Sequence, residues 1–249
     1  MILIKRLGYL AILMYLFVAC GSDENDPASY LITKMEYVDI GARDTINMYF
    51  TYKEGELSMA SVVGDSEKSY TAVFNDDGKV YDVGDKRFEW DGDQLMKIIF
   101  DNGTWIDLEY AGEKVSKGYY RYFQPGGQEA SSGHIEISYD GSNLGVIDNY
   151  DNMENLTSKH SFAGFDSMTN TFTSIWWFLY IDNTLSLFTT QVLPAALYMN
   201  NNPTSYKFEA PTVQFERITG MNYEYDANGR VSIVNINSQS KEYKLIVSY

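Results

Sequence analysis

The stretch YEYDANGRVSIV, residues 223–234, contains the two features that decide the fold. An alternating run ends at the aromatic residue Tyr225, a polar segment with an Asn-Gly pair follows, and the aliphatic residue Val231 opens the next run. Asn-Gly and Asp-Gly pairs supply the positive backbone φ angles that tight hairpin turns require. The stretch therefore predicts two antiparallel strands joined by a tight turn.

The same order of aromatic residue, polar turn and aliphatic residue recurs upstream, between runs of similar length. Because each copy predicts a hairpin, the chain is predicted to be a series of consecutive hairpins. The copies are YKEGEL at Tyr52, FNDDGKV at Phe74, WDGDQL at Trp90, YAGEKV at Tyr110 and YDGSNL at Tyr139.

Alternating polarity supports strands on both sides of these turns. In TWIDLEY, residues 104–110, Asp107 and Glu109 alternate with Ile106 and Leu108, and HIEISY and MNYEYD repeat the pattern. Such alternation is typical of a strand with one buried and one solvated face. We therefore expect an all-β fold, an antiparallel meander of consecutive hairpins that is curled or barrel-like.

Residues 153–202 break the pattern. Their apolar stretch has no hairpin turn, and 171–180 is compatible with either a buried strand or the start of a helix. From Asn183, a candidate N-cap, the sequence favours one or two short helices, with Pro194 ending or restarting the second. We expect a helical insertion near residues 172–200 that plugs or covers the sheet.

The N-terminal segment has the order of an export signal. Lys5 and Arg6 precede an apolar run that ends at Ala19, followed by Cys20, the single cysteine of the chain. Phe17 to Cys20 resembles a bacterial lipobox, in which the cysteine is acylated and becomes the new N-terminus. We expect a signal peptide at 1–19, a lipidated cysteine with an acidic linker at 20–29, and a single β-meander domain at 30–249.

The order of these segments resembles one protein family. Tandem hairpins, an apolar excursion, NNPTSYKF at 201–208, YEYDANGRVSIVNI and a final EYKLIVSY look like Bacteroidetes-type lipoproteins of unknown function with a porin-like β fold and tyrosine-aspartate-like repeats. The acidic residues after Cys20 also look like the tag of surface-exported lipoproteins. The resemblance implies a lipid anchor in the outer membrane, with display at the cell surface as the favoured location and the inner leaflet of the outer membrane as the alternative, and it brings no catalytic residues.

Charge and residue types exclude several functions. A net charge of −15 would repel nucleic acid. Zinc or thiol chemistry would need histidines and cysteines, but the chain has His134, which we place in a solvated loop, His160 and the lipidated thiol. No cofactor, metal or catalytic motif is predicted. The hypothesis is a non-catalytic binding or scaffolding role toward a glycan or an envelope protein; the alternative is a secreted carbohydrate-active hydrolase that uses paired carboxylates.

Four further residues are candidate sites. Trp176 and Trp177 either form a stacking platform for sugar rings or pack in the core. The triplets at Thr45 (Asp-Thr-Ile) and Ser167 (Asp-Ser-Met) resemble acceptors of Bacteroidetes O-glycosylation. Together with lipidation at Cys20, these complete the predicted site residues.

Overall fold

The computed structural model describes residues 31–64, 67–182, 193–239 and 241–249, which form a closed antiparallel barrel of sixteen strands. Every strand pairs with its neighbours in sequence, and the first strand pairs with the last. Lys34 opposes Ser248 on one side and Tyr49 on the other, so hydrogen bonding continues around the whole wall. The predicted meander of hairpins is confirmed, and it is closed into a barrel.

Short helical segments interrupt the strands. None of the helices in the described residues is long and apolar enough to cross a bilayer. The α-helix is α1 (Trp176–Ile181), and 3₁₀ segments lie at Thr171–Ile175, Ala195–Tyr198 and Pro211–Val213. The strands are β1 (Lys34–Asp39), β2 (Asp44–Lys53), β3 (Glu56–Val63), β4 (Lys68–Phe74), β5 (Val80–Val83), β6 (Lys86–Asp91), β7 (Gln94–Phe100), β8 (Trp105–Ala111), β9 (Lys114–Phe123), β10 (Glu129–Asp140), β11 (Asn143–Asp151), β12 (Leu156–Thr169), β13 (Asn201–Ala210), β14 (Phe215–Tyr225), β15 (Val231–Ser238) and β16 (Lys241–Ser248).

The up-and-down order places successive connections at opposite ends of the barrel. All the repeated turns follow even-numbered strands, so they lie together at one end, which we call the repeat end. The start of β1, the end of β16 and the segment between β12 and β13 lie there too. The other end, which we call the open end, carries the connections after odd-numbered strands, including 124–128, 152–155 and 211–214.

Each repeated turn is accompanied by a β-bulge at its aromatic residue. In the first copy Thr51 opposes Met59 but Tyr52 opposes Leu57, so Ser58 is an extra residue, and its Oγ donates to the Thr51 carbonyl at 2.9 Å. Bulges bend strands at the rims of barrels and re-aim side chains. The same shift in pairing occurs at Phe74, Trp90, Tyr110, Tyr139 and Tyr225.

The six aromatic residues of the repeats form a partly buried ring at the repeat end, which we call the aromatic collar. Two of them donate to carbonyl groups of neighbouring strands: Trp90 Nε1 to Val80 at 2.7 Å and the Tyr110 hydroxyl to Leu95 at 3.1 Å. The aliphatic residue of every copy is at most 2% exposed. The repeat therefore supplies both the turn and the core of this end. The collar residues are Tyr52, Phe74, Trp90, Tyr110, Tyr139 and Tyr225.

The segment between β12 and β13 enters the lumen, and we call its described parts, 170–182 and 193–200, the plug. It starts at Asn170, whose side chain accepts from the Phe172 amide at 3.1 Å. Helix α1 is apolar on all sides, which is typical of a fully buried helix. Trp177 Nε1 donates to the Leu57 carbonyl at 3.0 Å, and Phe178 packs against Phe50 with ring centroids 5.1 Å apart.

The predicted bounds of this insertion need correction. The sequence pattern puts the break in the hairpins at residue 153, but Leu156–Thr169 is strand β12 of the barrel wall, and the plug begins only at Asn170. The turn before β12 contains no glycine, so the sequence pattern does not indicate it. The Asp151 side chain stabilises this turn by accepting hydrogen bonds from the amides of Met153 and Asn155. The helical interpretation of 171–180 is right. Pro194 restarts a 3₁₀ segment, and Asn183 lies outside the described residues.

The outer face of the barrel carries charges at mid-strand. Directly opposed residues form ion pairs there, including Lys97 with Asp107 at 2.9 Å and Lys159 with Asp148 at 3.3 Å. Opposite charges at facing positions stabilise antiparallel pairs by about 0.2–1 kcal/mol. The wall is therefore apolar inside and charged outside.

Replacing Gly229 by Val should lower the melting temperature more than the same change at Gly127. Both glycines have positive φ, +76° and +83°, where a β-carbon costs roughly 1–2 kcal/mol. A β-carbon on Gly229 would also lie 2.8 Å from Met168 Cε, so the end of this flexible side chain must move at a small additional cost, whereas one on Gly127 meets nothing within 4 Å. Equal shifts in thermal melts of the two variants would contradict this.

Candidate functional site

The plug leaves one side of the lumen unfilled. Its aromatic residues contact strands β2, β3, β4, β6 and β8, whereas a cavity of about 480 Å³ is lined by residues of β9 to β14. These lining residues belong to the halves of the strands next to the connections 124–128, 152–155 and 211–214. The cavity is therefore at the open end of the barrel.

Aromatic rings form two walls of the cavity. Tyr120 and Tyr122 of β9 lie on one side, with ring centroids 5.0 Å apart. Across the cavity, His160 lies 5.0 Å from the ring of Phe208 and is stacked with Tyr206 at 6.1 Å. Aromatic rings that line a cavity can pack against the flat face of a ring-shaped molecule.

A glycine fixes the first wall. The Tyr120 hydroxyl crosses β10 at Gly133 and donates to the Tyr150 carbonyl at 2.7 Å. A β-carbon on Gly133 would collide with that carbonyl oxygen and with the Tyr120 hydroxyl. The absence of a side chain at 133 therefore lets Tyr120 hold its position over the cavity.

His160 lies on the second wall and is 7% exposed. Its Nδ1 is 2.9 Å from the Tyr206 hydroxyl. Burial, together with the nearby Arg217 charge, lowers the pKa of His160 to about 4, from an ordinary value of 6.5. His160 is therefore neutral at physiological pH. Burial also raises the pKa of Tyr206, which keeps its hydroxyl protonated.

Two buried polar atoms of the cavity lack hydrogen-bond partners among the described residues. Asn149 donates through Nδ2 to Ser158 Oγ at 3.1 Å, which leaves its buried Oδ1 without a donor. Arg217, half-buried and directly opposite Phe208, has a buried Nε with no acceptor. Buried polar groups nearly always have a hydrogen-bond partner, so each of these two atoms is available to bind a group that enters the cavity.

Asp151 is the one carboxylate among the described residues that line the cavity. It accepts from the side chain and amide of Asn155 and from the amide of Met153, at 2.8–3.2 Å. These hydrogen bonds lower its pKa, with the Asn155 side chain contributing most. The carboxylate therefore works as a turn cap, and no second carboxylate faces it among those residues.

The residues predicted as sites lie elsewhere. Trp176 and Trp177 are in the plug, 7% and 1% exposed, which favours core packing over a sugar-stacking platform. Thr45 and Ser167 are both exposed, on β2 and β12. Cys20 lies outside the described residues, and both its lipidation and glycosylation of the two hydroxyls remain predictions.

The placement of His134 in a solvated loop is wrong. His134 is on β10, 7% exposed, with its ring stacked on Tyr150 at 4.9 Å and tilted against Tyr119 at 6.4 Å. Strand β10 begins at Glu129, so only the first part of the Gly-rich stretch is a loop. The ring packs on the outer face of the barrel.

Sequence reasoning missed the cavity residues, although a weak signal exists. On most strands the inward positions are aliphatic or aromatic, but on β11, β12 and β14 they include Asn149, Ser158, His160 and Arg217. Polar residues at the inward positions of adjacent strands indicate an unfilled part of a core. To recognise this signal, one must know which residues of each strand face the lumen. The β-bulges change that alternation, and the sequence alone does not reveal them.

Comparisons with known proteins give little further guidance. No protein-family model and no curated protein matches the chain. A solved porin-like protein from Bacteroides uniformis is similar over 87% of this chain and 97% of its own, with 14% identity and a TM-score of 0.45. For a porin-like protein from Bacteroides vulgatus the values are 88%, 98%, 13% and 0.39.

The stability contributed by neutral His160 should be lost in acid. Its folded-state pKa of about 4 is below the ordinary 6.5, so the unfolded chain binds the proton first as the pH falls. The stability difference between the native chain and His160→Gln should therefore be constant above pH 6.5 and change by up to about 3 kcal/mol toward pH 4.

Chemical denaturation across this pH range would measure the effect. Phe162→Leu, one inward position further along β12, is the matched control, because its cost should be the same at every pH. A pH-independent difference for His160→Gln would show that burial does not disfavour its protonated form.

Proposed function

We propose that this chain is a lipoprotein anchored in the outer membrane through acylated Cys20, displayed at the cell surface, and that it binds a small ligand at the open end of its barrel without catalysis. The observation that carries the binding role is the lumen cavity. Its volume of about 480 Å³ is within the ~300–1,000 Å³ typical of small-molecule sites, and it combines aromatic walls with a few polar groups.

The charged outer face supports a tethered barrel. A barrel wall in contact with lipid presents an apolar band, and a lysine at the bilayer midplane costs about 2–4 kcal/mol. Here Lys97 lies in the middle of β7, and Lys117 and Lys159 lie within β9 and β12, all on the outer face. This polarity favours a barrel that stands in water, which supports the proposal that an acyl group on Cys20 attaches the protein to the membrane.

The topology supports an outward-facing cavity. Strand β1 starts at the repeat end, so the linker from Cys20 joins the barrel there. A tether at the repeat end holds that end toward the membrane and leaves the open end facing away. The cavity is then accessible to ligands from the surroundings.

The cavity favours binding of a glycan over docking of an envelope protein, because it is a small concave site with ring walls. It also gives the hydrolase alternative no support. Glycosidases use two carboxylates flanking the substrate. The lining residue Asp151 is instead occupied as a turn cap.

Substituting Cys20 by Ala should move the protein from the membrane fraction to the soluble fraction, because acylation requires the thiol. Fractionation and palmitate labelling of the native protein and of the variant would measure this. Two acyl groups on one protein are sufficient for stable membrane anchoring. Palmitate incorporation into Cys20→Ala would refute the proposed anchor.

The binding role can be tested with a glycan array and thermal-shift screen on the full chain, purified in mild detergent. A ligand is expected, and Tyr122→Ala should weaken its binding by about tenfold, or ~1.4 kcal/mol. Tyr119→Ala is the matched control, since Tyr119 is on the same strand but faces outward and is 38% exposed. A ligand whose binding is insensitive to Tyr122, or the absence of any ligand, would argue against the cavity as the site.

A further inference from the structure

We infer that the ligand of the lumen cavity is a hydroxyl-bearing ring with one anionic group, which binds with its acid group on Arg217, its hydroxyl on Asn149 and its ring between the aromatic walls. This inference rests on the proposed function and names the chemical class of the ligand. Acidic sugars and hydroxylated aromatic acids share this chemistry.

The first argument is that Arg217, whose side chain contacts the Tyr206 hydroxyl, has no anionic partner among the described residues. The chain has 34 acidic and 19 basic residues, and many lysines and arginines of the wall form ion pairs. Arg217 has no carboxylate within ion-pair distance among the described residues, although it lines a cavity and its Nε is buried. A partly desolvated cation without an anionic partner destabilises the folded protein unless a bound anion forms an ion pair with it.

The second argument is the distribution of charge in the cavity. The ionised carboxylate of Asp151 is at the end of β11, three strands away from Arg217 on β14, and its oxygens accept hydrogen bonds from Met153 and Asn155. His160, beside Arg217, is neutral at physiological pH and adds no second cation. The Arg217 side of the cavity therefore offers a single positive charge, which matches a ligand with a single acid group.

The third argument is the position of the other polar atom. Asn149 Oδ1 is an acceptor, buried and without a donor among the described residues, so it would favour a hydroxyl over a second acid group. Asn149 is on β11 and Arg217 on β14, and the rings of His160 and Phe208 belong to the strands between them. A ring that spans the two polar groups would therefore lie against these aromatic faces.

The experiment uses pairs of ligands that differ in charge. Glucuronic acid is compared with glucose, and para-hydroxybenzoate with para-hydroxybenzamide, by calorimetric titration of the full chain in mild detergent. In at least one pair the acid should bind roughly tenfold or more tightly than its neutral partner, which corresponds to ~1.4 kcal/mol. The pair that shows the preference identifies the kind of ring.

Substitutions assign the preference to Arg217. Arg217→Gln should remove the difference between acid and neutral ligand, and Arg217→Lys, which keeps the charge, should retain part of it. Arg121→Gln is the matched control, because Arg121 is near the same end but on the outer face, paired with Glu129. Thermal melts confirm that each variant is folded.

The outcomes separate this inference from the proposed function. Equal binding of acid and neutral ligands, or a preference that survives in folded Arg217→Gln, overturns the inference while leaving a Tyr122-dependent binding site in place. If neither these ligands nor any array glycan binds the native chain, the inference and the proposed function both fail.

Discussion

The central constraint on this molecule is the width of its own lumen. A closed wall of sixteen strands encloses more space than its inward side chains fill, and in porins of similar size that space holds water. Here most inward residues are apolar, so a water-filled lumen would lose about 25 cal/mol of stabilisation for each Å² of apolar surface left exposed to water. The aromatic collar and the plug are the two means by which the chain fills this space.

The collar shows how one local pattern serves several levels of structure. The polar residues of each copy form the turn, and the bulge adds one residue to the following strand. Because of this extra residue, the aromatic residue before the turn and the aliphatic residue after it both face inward. Hydrogen bonds from the Trp90 indole to β5 and from the Tyr110 hydroxyl to β7 then connect two of these hairpins to the preceding strand. Local turn chemistry and core packing therefore agree, which is the condition for a well-defined fold.

The sequence predicts the parts of the fold that depend on neighbouring residues. Turns at Asn-Gly and Asp-Gly and the alternation around Ile106 and Leu108 are local, and they were read correctly. Strand β12 was missed because its inward side carries Ser158 and His160, whose polarity serves the cavity and weakens the alternation. The cavity itself combines Tyr122, Asn149, His160 and Arg217 from strands far apart in sequence, and only the closed register brings them together.

The pairing of β1 with β16 also determines how the chain can reach this structure. Residues near position 34 find their partners near position 248, so the contact that completes the wall has almost the greatest sequence separation the chain allows. High contact order slows folding, and until closure both terminal strands expose unpaired edges that can join other chains. The barrel wall is therefore completed only when its final strand reaches its first, and aggregation competes with folding until that contact forms.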